Sequence, residues 1–114
     1  RLRVDEYAFI FYFYGEQKPQ ETTGAWEHSY SSFYSMNEAP EKDAIENILD
    51  ISSHEFFHII TPLTISSREV KEFNFNETVL SKHLWLYEGS TEYTAHHVQL
   101  WAGLKTPEEF LETL

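Results

Sequence analysis

Two histidines stand four residues apart in "SSHEFFHIITP", with a glutamate directly after the first: His54, Glu55 and His58. On a helix, positions four apart lie one above the other with Cβ atoms about 6 Å apart, so both imidazoles can aim at one point. Zinc requires that convergence, because its bonds to histidine nitrogen are only about 2.0 Å long. Glu55 would then stand beside the metal rather than on it. A carboxylate there can take a proton from a zinc-bound water, whose pKa the metal lowers toward roughly 7, and deliver it to the leaving amine. The same pattern also arises by accident in helices with ordinary salt links. Here the apolar stripe Ile45, Ile48, Leu49, Ser52, Phe56 and Ile59 offers a core face and leaves Ile51, His54, Glu55 and His58 on a stripe of their own.

A catalytic zinc needs a third protein ligand and an open position. Glu88, in "LWLYEGSTEYTA", is the best candidate: it lies inside an apolar helix, where a carboxylate is awkward to bury unless paired with a cation or metal. Gly89 beside it would permit close helix approach, and Glu92, one turn on, could accept a hydrogen bond from a ligand histidine and fix its tautomer. The alternative makes Glu88 and Glu92 exposed acids paired with Lys82 or Lys105. His83, His96 and His97 read as capping or solvated groups, Tyr87 and Tyr93 as packing residues, and Trp26, Trp85 and Trp101 as core.

The elements that must position these groups are legible as patterns. Val4 to Tyr14, "VDEYAFIFYFY", is aromatic on both alternating faces and reads as a strand covered on both sides. "GEQKPQETTG" reads as a loop, and Trp26 to Met36 as a second strand. In that strand Trp26, His28, Tyr30, Tyr34 and Met36 share a packing face, while Glu27, Ser29, Ser31 and Ser35 share a polar one. The spacing predicts a helix over 40–60, stopped by Pro62, then a long loop with short elements, then a second long helix over 81–101 capped by Gly103. Thr106, Pro107 and Glu109 form a capping box that opens another helix.

One domain at most fits 114 residues, and 17% aromatic content argues for a packed chain. A formal charge of -11, from 19 acids and 8 bases, argues against nucleic acid or an anionic membrane surface as partner and suits a cationic group on a substrate. No run spans a membrane, no targeting segment is legible, and lack of cysteine rules out thiolate zinc sites without fixing a compartment. Both ends read as internal to a longer polypeptide, so 1–114 is expected to be part of a catalytic domain.

HEFFH followed by "LWLYEG", with "GAWEH" upstream at Gly24 to His28, resembles the gluzincin metallopeptidases, specifically the bacterial glycyl aminopeptidase family whose members often carry a PDZ domain. "GAWEH" is similar to that family's GGLEH segment. The resemblance implies an α+β, thermolysin-like catalytic core in which a sheet packs on the HExxH helix and a second long helix carries the glutamate ligand. It implies zinc held by His54, His58 and Glu88, Glu55 as general base, and Gly24 and Glu27 at the substrate, with Glu27 holding its free α-amino group. A carboxylate on an edge strand suits that task independently, since it pairs with an amine while the strand edge adds an extended peptide, although a solvent-facing strand acid has the same appearance. The implied reaction is zinc-dependent hydrolysis of peptides with a free N-terminus. An endopeptidase of the same fold and a non-catalytic zinc- or peptide-binding module are the alternatives. After His58 the chain reads "IITPLTIS" where better-known members carry basic residues and a tryptophan, and 29 residues separate His58 from Glu88. The donor that stabilises the oxyanion is expected beyond Leu114.

Overall fold

A computed structural model describes residues 4–15 and 23–114, so most of the loop read in "GEQKPQETTG" lies outside the described residues. The fold is mixed α+β: strands β1 (Ala8–Tyr14), β2 (Gly24–Glu27) and β3 (Ser31–Asn37), then helices α1 (Glu41–Phe57), α2 (Arg68–Lys71), α3 (Leu84–Trp101) and α4 (Pro107–Glu112). It divides into two compact units, Arg1–Phe56 and Phe57–Leu114.

In the first unit the strands form one sheet in the order β1-β3-β2, with β1 parallel and β2 antiparallel to β3. The stretch read as one strand from Trp26 to Met36 is therefore a hairpin. It breaks at His28–Tyr30, and the His28 N–H donates to the Ser31 carbonyl at 2.8 Å. The break changes which residues share a face, because side chains alternate along a strand and a turn resets the count. Trp26 pairs with Phe33 and Glu27 with Ser32, so Trp26 leaves the Tyr34 face and Glu27 joins it. His28 and Tyr30 fall in the turn and are exposed.

Paired residues share a sheet face, which gives the rows Phe9–Ser32–Glu27 and Phe11–Tyr34–Ala25. Phe11 stacks on Tyr34 with ring centroids 4.4 Å apart. Tyr7, two residues before Phe9, continues the same face, and both rings meet Phe56 of α1, at 5.2 and 6.1 Å. Ser32, Tyr34 and Met36 are buried on this side. The other face carries Ile10, Tyr12 and Trp26, all exposed. Among the described residues β1 pairs with β3 alone, and its Ile10 and Tyr12 side is exposed, so the cover expected on both of its sides is not found there.

Acidic residues Glu41 and Asp43 occupy the first turn of α1, where the helix dipole favours them. The helix ends at Phe57 rather than Ile60, and His58 opens the turn that follows. Proline disfavours helical geometry in the residue before it, and Thr61 precedes Pro62 through a cis bond.

In the second unit α3 buries Tyr87, Thr91, Ala95, His96 and Gln99, a stripe built on steps of four. Trp85 and Trp101 lie two residues outside either end of that stripe, about 200° around the helix, and are exposed rather than in the core. Trp26 is likewise exposed, on the sheet face away from Tyr34. The C-terminus of α3 closes in a Schellman motif: Gly103 has φ 73°, its N–H donates to the Leu100 carbonyl at 3.1 Å, and Leu104 N–H donates to Gln99 at 2.9 Å. α4 begins with a complete capping box, Glu109 N–H to Thr106 Oγ1 at 3.2 Å and Thr106 N–H to Glu109 Oε2 at 2.7 Å. Its buried Phe110 meets the rings of Tyr93 and His97.

Candidate functional site

The sheet and α1 bring two carboxylates together in the first unit. Glu27, at the end of edge strand β2, and Glu55, in the last turn and a half of α1, have carboxylate oxygens within 4.8 Å of each other. Glu55 is 7% exposed and is the one buried residue of α1 among those described. Burying a carboxylate costs several kcal/mol of hydration unless partners replace the water, and a helix built only for packing would put leucine there. Gly24 opens β2, where a Cβ would come 3.3 Å from the Trp26 ring.

Hydroxyl groups line the sheet side of this pair. Ser32 Oγ and Tyr34 Oη lie 2.5 Å apart, and both residues are inaccessible to solvent. Burial pushes the Tyr34 phenol up to about 12 against the opposing pull of the Ser32 and Ser52 hydroxyls, with Tyr7 and Glu55 adding to the rise. Burial also raises the Tyr7 phenol; the Ser32 hydroxyl opposes the rise, and Glu55 and Glu27 reinforce it. Ser32, Tyr34 and Tyr7 were not singled out by sequence reasoning. Their signal, hydroxyls opposite a glutamate in strand register, appears only once the hairpin is known.

In the second unit His58 Nδ1 lies 2.8 Å from the Thr61 carbonyl, which can only accept, so Nδ1 carries the proton. Nε2 then turns toward Glu88 Oε2, 3.7 Å away. Thr61 is itself tied to α3 by a 2.9 Å bond between its Oγ1 and that of Thr91. His58 is buried, whereas the Glu88 side chain is 47% exposed, so Glu88 is not the buried acid the apolar helix suggested. Open space surrounds the Cβ position of Gly89 among the described residues, and the close helix approach expected there is not found.

His54 sits in the last turn of α1. Glu92 Oε1 accepts from His96 Nε2 at 3.1 Å, and Lys105 Nζ meets His96 Nδ1 at 2.9 Å. His96 is thus a buried link between an acid and a lysine rather than a solvated or capping group. His97 stacks on Tyr93 at 5.7 Å, and the Tyr87 hydroxyl accepts from the Ser67 N–H, which accounts for both tyrosines as structural groups.

A family comparison matches residues 47–114, more than half of the chain, to the M61 glycyl aminopeptidase family. The chain belongs to that family. No curated protein and no solved structure matches it. The glycyl aminopeptidase match takes in His54, Glu55, His58 and Glu88; Gly24 and Glu27 lie upstream of it. Membership makes the protein a peptidase with a peptide substrate. Histidine and carboxylate groups of the kind that hold a metal are present in it. No helix among the described residues is long and apolar enough to cross a membrane.

Proposed function

We propose that this glycyl aminopeptidase family member removes N-terminal residues from peptides with the help of one zinc ion held by His54, His58 and Glu88, within a thermolysin-like catalytic core. The observation that carries the reading is the pairing of His58 with Glu88. With Nδ1 protonated toward Thr61, a nitrogen lone pair and a carboxylate face each other at 3.7 Å. Two acceptors hold that geometry when a proton or a cation lies between them, and zinc bonds of about 2.0 Å at tetrahedral angles bring donor atoms roughly 3.3 Å apart. The donor set, two imidazoles and a carboxylate, is one that zinc accepts in catalytic sites.

When bound, zinc supplies a Lewis acid that polarises the scissile carbonyl and makes a water acidic at neutral pH. Glu55 takes the proton from the attacking water and returns it to the leaving amine. Glu27 holds the α-ammonium group of the substrate. Its carboxylate lies within 4.8 Å of Glu55, a span that one amino-terminal residue and a water can bridge. Gly24, on the same edge strand, keeps the approach of an extended peptide free of a side chain. Glu92, besides its bond to His96, is assigned to accept from the free ring nitrogen of a zinc histidine.

The test is hydrolysis of a glycyl peptide with free and with acetylated N-terminus, by the wild type and by Glu55→Gln. The free peptide should be cleaved and the acetylated one spared. Glu55→Gln should keep its zinc and lose about 10²–10⁴-fold in kcat, the usual contribution of a general base. Equal cleavage of both peptides would make the enzyme an endopeptidase. Zinc binding without cleavage of either would make it a binding module.

A further inference from the structure

Glu88, Glu92 and His96 follow one another at steps of four along α3, so they form a single ridge on that helix. His96 closes the ridge. Its residue is 8% exposed, yet both ring nitrogens are engaged: Lys105 Nζ lies 2.9 Å from Nδ1, and Nε2 lies 3.1 Å from Glu92 Oε1. An ammonium group can only donate and a carboxylate can only accept, so Nδ1 offers its lone pair to Lys105 and Nε2 carries the proton toward Glu92. The lysine reaches the ring from outside the helix, on a fixed backbone. Its N–H donates to the Gln99 carbonyl at 3.3 Å, and the next residue, Thr106, is the N-cap of α4.

We infer that Lys105 and His96 are positioning residues for the metal site: Lys105 holds the His96 imidazole in one tautomer, and His96 holds the Glu92 carboxylate where it orients a zinc histidine. The inference rests on the proposed zinc-binding reading, in which Glu92 is the acceptor for that histidine. Three observations favour it. The Glu92 side chain is 55% exposed, and a glutamate in such a place keeps rotamer freedom worth about 1.5–2 kcal/mol unless a neighbour fixes it. The buried ring of His96 supplies that restraint. A carboxylate has two oxygens, so a bond to His96 through Oε1 still lets the group accept from a second donor. Finally, a lysine brought to Glu92 for its charge alone would pair with it directly, whereas here an imidazole with a defined proton position stands between them and fixes direction as well as charge. The support of the metal site thus extends two residues outward from Glu92, as far as the connection between α3 and α4.

The experiment measures zinc affinity by competition with a chelating dye, together with the urea midpoint and the imidazole nitrogen NMR shifts of the zinc-free protein, in the full chain and in its Glu92→Gln, Lys105→Met and Lys105→Arg variants. Glu92→Gln should weaken zinc binding about 10–100-fold, the usual cost of losing an outer partner. Lys105→Met should weaken it roughly tenfold, the lower end of that range, and His96 should show both tautomers in place of one. Lys105→Arg keeps a donor-only group at Nδ1 and should restore both the affinity and the single tautomer. Zinc affinity unchanged in Lys105→Met would overturn the inference, whatever the urea midpoint does, by making Lys105, His96 and Glu92 a brace between α3 and α4 and nothing more; zinc bound by the wild type would leave the metal-site reading intact. A loss of affinity that Lys105→Arg does not restore and that runs parallel to the urea midpoint would also overturn it, as a general loss of fold. A wild type that binds no zinc would overturn the reading and the inference together.

Discussion

His58 and Glu88 face each other at 3.7 Å, Nε2 to Oε2, with the imidazole locked from behind by the Thr61 carbonyl. The lock matters as much as the approach, because a ring that cannot flip offers one nitrogen forward in every copy of the molecule. A ligand already oriented loses little freedom on binding, and α3 reinforces the orientation through the Thr91–Thr61 hydroxyl bond.

Glu88→Ala should therefore reduce zinc affinity by more than the roughly 10–100-fold that loss of an outer partner costs. The check is elemental analysis after dialysis against trace zinc: one equivalent in the wild type and almost none in the variant. Undiminished zinc in Glu88→Ala would remove Glu88 from the ligand set. Thr91→Val breaks only the bond behind Thr61, so its loss should be the milder of the two.

Glu27→Gln keeps the shape of the side chain and removes its charge. A hydrogen bond to a charged group is worth about 1.5–3 kcal/mol, so kcat/KM on peptides with a free N-terminus should fall roughly ten- to 150-fold. Zinc content should not change. Equal activity of the variant and the wild type on such peptides would place Glu27 outside the substrate site.

Alkaline pH should weaken the first unit through Tyr34. Its folded pKa of about 12 lies above the ordinary 10.0, so between these values the folded chain holds a proton that the unfolded chain has released. Stability from this group is fully present below pH 10 and is lost as pH rises toward 12, by an amount of order 2 kcal/mol. Urea midpoints measured from pH 9 to pH 11.5 should fall more steeply in the wild type than in Tyr34→Phe. Parallel curves would show that the phenol titrates alike in both states.

Gly103→Ala isolates a backbone cost. The added Cβ would meet nothing within 4 Å, so only the left-handed φ of 73° opposes it. Left-handed geometry costs an alanine roughly 1–2 kcal/mol, and the urea midpoint should drop accordingly with kcat unaffected. A midpoint equal to that of the wild type would mean that the end of α3 relaxes without penalty.

Local chemistry was open to the sequence. The Thr106–Glu109 capping box spans four residues, and both of its bonds form as read. Gly103 could be placed as the end of α3 because a left-handed cap selects glycine whatever surrounds it. HEFFH, "LWLYEG" and their order carried the family, since ligand residues and their spacing are written directly in the chain.

Register and cover came only from the folded chain. Alternation from Trp26 to Met36 looked continuous, and three residues of turn were enough to carry Glu27 over to the face of Tyr34 and Ser32. The three tryptophans, read as core from their size, are exposed because burial depends on which stripe a neighbouring element covers. His96 looked like a surface histidine until Glu92 and Lys105 closed on it from both sides. A sequence determines which groups are present and how far apart they stand along one helix or turn. Which of them meet across a sheet is decided by long-range pairing that no local pattern encodes.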